Sequence, residues 1–139
     1  MNLTKIKTLL SSMVIVLALA HCAGSTGSLR SSSSTPAASG KVKTKVGQNG
    51  NTKIELQVEH LAPPKAVDSE ATTYVVWVED HDSGRVTNLG ALQVNDDLKG
   101  KVSTATPFTK FDLFITPERD VTSAYPSGQH VLWASLNVD

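Results

Sequence analysis

From Lys53 to Glu59 the chain reads Lys-Ile-Glu-Leu-Gln-Val-Glu, an unbroken alternation with Ile54, Leu56 and Val58 on one face and charged or amide side chains on the other. A period of two belongs to a half-buried antiparallel strand, because successive side chains of a strand point to opposite faces. After Gly40 no 3.6-residue periodicity competes with it. Lys41 to Val46 leads into this run through Gly47-Gln48-Asn49-Gly50-Asn51. The Asn-Gly pair there tolerates the positive φ of a tight hairpin.

Similar signals recur downstream. Thr72 to Glu79 is apolar and β-branched on both faces, which predicts a central strand. Asp80-His81-Asp82-Ser83-Gly84 turns the chain into Arg85 to Val94, and Asn95-Asp96-Asp97 turns it again toward Lys101 to Thr106. After a break at Pro107 come Phe111 to Thr116 and His130 to Val138, the latter with Leu132, Ala134, Leu136 and Val138 on one face. About seven strands in residues 41–139 predict one all-β domain, an immunoglobulin-like two-sheet antiparallel sandwich, with a small barrel as the alternative. Paired cysteines are absent, since Cys22 is the only one in 139 residues.

Residues 1–21 have the form of a signal peptide: Lys5 and Lys7 precede the apolar run Leu9 to Ala20, which is too short to span a bilayer. Ala18-Leu19-Ala20 offers a small-x-small cleavage site, whereas Leu19-Ala20-His21-Cys22 resembles a bacterial lipobox with His21 in place of the usual small residue. A lone cysteine in an exported chain cannot close an internal disulfide, so lipidation at Cys22 is the expectation. It would tether the protein to a membrane in the bacterial cell envelope, facing the periplasm or the exterior. Residues 22–40, rich in serine and glycine, are expected to be a flexible linker.

Of the 13 basic residues, Lys5 and Lys7 would leave with the leader, so 11 would face 13 acidic ones. That balance carries no footprint for nucleic acid or for an anionic membrane surface.

Tyr74-Val75-Val76-Trp77, Asn88-Leu89-Gly90-Ala91-Leu92, Phe111 to Glu118, and Pro126-Ser127-Gly128 before Val131-Leu132-Trp133 together resemble the extracytoplasmic domain of anti-sigma-K-type regulators. The resemblance covers about two-thirds of the domain and implies strands and turns but no catalytic residue. Such regulators place a sigma-binding segment and a transmembrane helix before this domain. The expectation here is therefore a stand-alone envelope-facing lipoprotein module.

Asp80, His81 and Asp82 carry ligand atoms for a divalent metal, and His60 and His130 could join them only through folding. Their spacing matches no zinc motif, and Asp and Gly form turns in their own right, so a solvated turn is the plainer reading. Asp96-Asp97 and Glu118-Arg119-Asp120 lack the alternating ligands of a calcium loop. No Gly-x-Ser-x-Gly elbow occurs, and Ser127 sits in a proline-initiated turn. Trp77 and Trp133 lie in apolar strands and are expected to be core anchors.

The expectation is a non-enzymatic module without a cofactor that binds an unidentified envelope protein or component. The alternatives are an accessory partner of a transmembrane anti-sigma system and a small metal-dependent or hydrolytic enzyme.

Overall fold

A computed structural model describes residues 24–138; the leader and Cys22 lie outside the described residues. Eight antiparallel strands account for nearly all the regular structure: β1 (Gly24–Ser31), β2 (Ser39–Val46), β3 (Thr52–Glu59), β4 (Thr73–Asp80), β5 (Val86–Leu92), β6 (Gly100–Thr106), β7 (Lys110–Glu118) and β8 (Leu132–Asn137). A single helical turn, α1 (Pro64–Val67), interrupts the connection before β4.

The strands lie in the order β5-β4-β7-β8-β1-β2-β3-β6. The all-β expectation holds, and so do the two layers. In one layer β2-β3-β6 takes the A-B-E order of an immunoglobulin-like sandwich; in the other β5-β4-β7-β8 takes the C′-C-F-G order. At one corner the layers are stitched together by β1. Gly24 to Leu29 pair with β2, and Arg30 and Ser31 pair with Trp133 and Leu132 of β8. At the opposite corner the bridge between Val94 and Gly100 brings β5 and β6 together. The sheet is thus nearly closed, a sandwich on its way to a barrel.

The strand β1 corrects one expectation. Residues 22–40 were expected to be a loose linker, yet from Gly24 onward they are built into the sheet. The sequence Gly-Ser-Thr-Gly-Ser-Leu-Arg-Ser buries only Leu29 among its side chains. What orders it is backbone pairing to β2, and near its end to β8 as well. The turn that follows is also fixed: the Ser32 amide and the Thr35 hydroxyl both donate to the Val131 carbonyl, at 3.0 and 3.1 Å.

Ile54, Leu56 and Val58 from β3, Tyr74, Val76 and Val78 from β4, and Leu113, Ile115, Leu132 and Leu136 from β7 and β8 fill the space between the layers. Burial of this much apolar side chain, at about 25 cal/mol per Å² removed from water, is the main force holding the layers together. The Tyr74 hydroxyl donates to the Ala62 carbonyl at 2.7 Å, and burial pushes its pKa up to about 12. As the apolar character of its two faces predicts, β4 is central and covered on both sides. Its other face carries Val75 and Trp77 in a second, smaller cluster with Phe114, Val86 and Trp133.

Candidate functional site

The second cluster lies on the outward face of the β5-β4-β7-β8 layer, where a strand would ordinarily meet water. Trp77 is nonetheless fully buried there. Beside it run two hydrogen-bonded groups, one at each end of the layer.

At one end the residues with metal-ligand character separate. Asp80 turns inward to close the β4–β5 hairpin, accepting from the Ser83 hydroxyl at 2.5 Å, the Ser83 amide at 3.1 Å and the Asp82 amide at 3.4 Å. The Ser83 hydroxyl above all holds its carboxyl below the usual aspartate range, helped by these amides and the Arg85 charge against the cost of burial. His81 points away from that turn to Asp112 of β7, with Nε2 2.8 Å from Oδ1. Among the described residues, no group of three or more His, Cys, Asp or Glu side chains is arranged to hold a metal ion.

Folding does bring Ser135 to 3.4 Å from the same His81 nitrogen. Serine, histidine and aspartate therefore meet, but not as a triad. A triad histidine takes the serine proton on one ring nitrogen while the other donates to the carboxylate. Here Nε2 faces both partners. Burial would raise the Asp112 pKa, but hydrogen bonds from His81 and Ser135 and the charges of His81 and His130 outweigh it and lower the pKa. His130 stacks on Phe114 with ring centroids 4.1 Å apart and planes 17° apart. His60 stands elsewhere, at the end of β3 with φ of 55°.

At the other end a buried carboxylate organises the connection 119–131. Glu118, 2% exposed, closes β7. Its Oε1 accepts from the Thr116 hydroxyl at 2.5 Å and from the Ser127 and Gly128 amides at 2.9 and 3.2 Å; its Oε2 accepts from the Ser127 hydroxyl at 2.5 Å. Thr116 in turn accepts from the indole N–H of Trp77 at 2.9 Å, so the chain of bonds runs from the loop to the buried tryptophan. Burial alone would raise the Glu118 pKa, but these donors outweigh it and hold the carboxyl below the usual glutamate range. Gly128 has no alternative at its position, since a Cβ there would overlap the carbonyl oxygen of Pro117.

A second clamp comes from β5. The register of β4 and β5 slips between Val76 and Trp77, and Gly90 takes a φ of 109°. This irregularity aims Asn88 at the loop, where its amide donates to the Val121 and Ser123 carbonyls at 2.8 and 2.9 Å and its Oδ1 accepts from the Gly90 amide. Asn88 does not stand out as functional in the sequence, although Asn-Leu-Gly inside a strand is a bulge signal. Glu118 draws notice there only with Arg119 and Asp120 as a calcium-loop candidate, which gives no hint that it pins a loop.

The clamped loop leaves its tip free. Val121 and Tyr125, 41% and 76% exposed, are the exposed large hydrophobic residues among the described ones. Trp133 is only partly covered, but Trp77 and Tyr74 are buried and present no surface. Val121 and Asp120 also line an open depression of about 520 Å³, with Pro64 and Thr72 from the connection before β4 and Gln93 and Val94 after β5. Thr72 ties this side together by donating from its hydroxyl to the Arg119 carbonyl at 2.7 Å. The depression thus draws on three connections at the end of the sandwich where binding loops of immunoglobulin-like domains cluster. No protein-family model matches this chain, and no curated protein matches its sequence.

Proposed function

We propose that the protein is a non-enzymatic envelope lipoprotein, anchored through Cys22, whose sandwich presents the loop 119–131 to a protein partner or envelope component. One observation carries the reading: among the described residues, the exposed large apolar side chains, Val121 and Tyr125, share a loop whose base is held by a buried carboxylate. Exposed tyrosines on a pre-ordered loop bind at low entropic cost, because the backbone has little freedom left to lose. The Ser135–His81–Asp112 contact favours no hydrolase, for it lacks a free imidazole nitrogen directed at the serine. A role beside a transmembrane anti-sigma system rests on sequence resemblance alone.

A photo-crosslinking residue at position 125 tests this in the native envelope, with the same residue at position 34 as control. A discrete adduct from position 125 alone is expected, and equal adducts from both positions would overturn the loop as the binding surface. The intact mass of the mature protein, recovered from membranes, tests the anchor: it should begin at Cys22 and exceed the polypeptide mass by its lipid.

A further inference from the structure

We propose that the outer face of β2 and β3, at the end where β1 begins, docks on an anionic phospholipid surface, with Lys43, Lys45 and Lys53 against the headgroups. This rests on the membrane-anchored reading above and gives it an orientation. The pairing registers set Gly24 opposite Lys45, Lys45 opposite Lys53, and Lys53 opposite Ala105, so one row across the sheet leads from the start of β1 through two lysines. Cys22 precedes Gly24 by two residues and can lie no more than about 7 Å from it. A lipid on Cys22 would therefore bring that row to the level of the headgroups.

Lysines outnumber carboxylates on this face although the chain as a whole is nearly balanced: Glu55 stands opposite Lys43, and Glu59 lies farther along β3. Lys41, Lys43 and Lys45 are exposed on β2 and Lys53 on β3. None of them forms an ion pair among the described residues. Like charges directly opposite in adjacent strands repel, so Lys45 and Lys53 carry a cost that an anionic surface relieves. Between them and the start of β1 lies a shallow depression of about 420 Å³ reaching Gly24 and Thr26. Asp68, Glu70, Asp96, Asp97 and Asp120 sit in connections at the far end, about 25 Å away for an eight-residue strand, while Asp82 and Asp112, at the near end, belong to the β5-β4-β7-β8 layer. Docked in this way, the sandwich would hold Tyr125 away from the membrane.

The test uses mature protein reconstituted into vesicles of phosphatidylcholine, with or without about one-third phosphatidylglycerol. A fluorophore on Ala105→Cys or Asp97→Cys reports quenching by nitroxide-labelled headgroups. Quenching at position 105 but not 97, present only with phosphatidylglycerol and abolished in about 0.5 M salt or by K43Q/K45Q/K53Q, is the expected result. If the protein carries lipid but position 105 is quenched equally in both vesicles, or the triple substitution changes nothing, the docking is overturned while the anchor stands. If the mature chain carries no lipid, the anchor fails instead. The released chain should then still float with phosphatidylglycerol vesicles, with affinity roughly a hundredfold weaker in the triple variant, about fivefold per lysine; no flotation would overturn the docking too.

Discussion

Asp80 and Glu118 are both carboxylates at the ends of adjacent strands, both bonded to serine, and yet they organise different kinds of loop. Asp80 bonds residues two and three positions ahead, so its turn is closed locally and nothing is left to present. Glu118 reaches residues nine and ten positions ahead. It pins the base of a long loop and leaves Tyr125 at the tip in water. The span of a carboxylate's bonds, more than its burial, separates a turn that only redirects the chain from a loop that can act as a surface.

Removing the long-range pin should break this contrast most severely. Glu118→Ala strips acceptors from Ser127, Gly128 and Thr116 together and should cost about 3 kcal/mol in urea unfolding, because buried donors are left unpaired. A cost near zero would mean the loop does not depend on Glu118. Gly128→Ala forces a methyl group onto Pro117 and should cost about 2 kcal/mol, with proteolytic nicking inside 119–131 as the local readout.

Acid sharpens the comparison. The native pKa of Glu118 lies below its ordinary value of 4.5, so on acidification the unfolded chain takes up the proton first. Its contribution is complete above that value and is lost as pH falls through the lower native one. Urea midpoints measured between about pH 7 and pH 3 should therefore fall less in Glu118→Gln than in the parent. Asp80, Asp112 and Asp120 are shifted in the same direction and should leave a residual slope.

Asp80→Ala should lower the unfolding midpoint by less than either change at the long loop, with disorder confined to 81–85 in amide exchange. Tyr125→Ala should have the smallest effect on stability, within about 0.5 kcal/mol, while abolishing the adduct formed by a photo-crosslinking residue placed instead at position 121 of the same loop. Loss of fold there would show that the side chain is structural.

Strands that bury one face in alternation, such as β3, were legible because the period-two pattern is the burial pattern itself. The both-sided apolar character of Thr73 to Val78 was equally informative, since one face meets the core and the other packs with Phe114, Val86 and Trp133 in a second cluster. β1 escaped because its order comes from neighbouring backbones, and serine and glycine say nothing about who their neighbours will be. The candidate site escaped for a related reason. The exposure of Tyr125 and the burial of Glu118 both arise from how residues 119–131 fold back onto Asn88 of β5 and the end of β7, relations between residues apart in sequence. Asp80, His81 and Asp82 drew notice by adjacency, yet the chain leaves the strand at Asp80, whose carboxylate closes the turn while His81, already in the turn, reaches across to Asp112.

The place of β1 also has a mechanical consequence. Load applied between a surface-held Gly24 and the far loops would run parallel to β1 and meet its pairing with β2 in shear. Six registered residue pairs from Gly24↔Lys45 to Leu29↔Gly40 would then share the force at once, where a peeled strand would surrender them one by one. An otherwise plain stretch of serine and glycine thereby becomes the clasp through which tension reaches the rest of the fold.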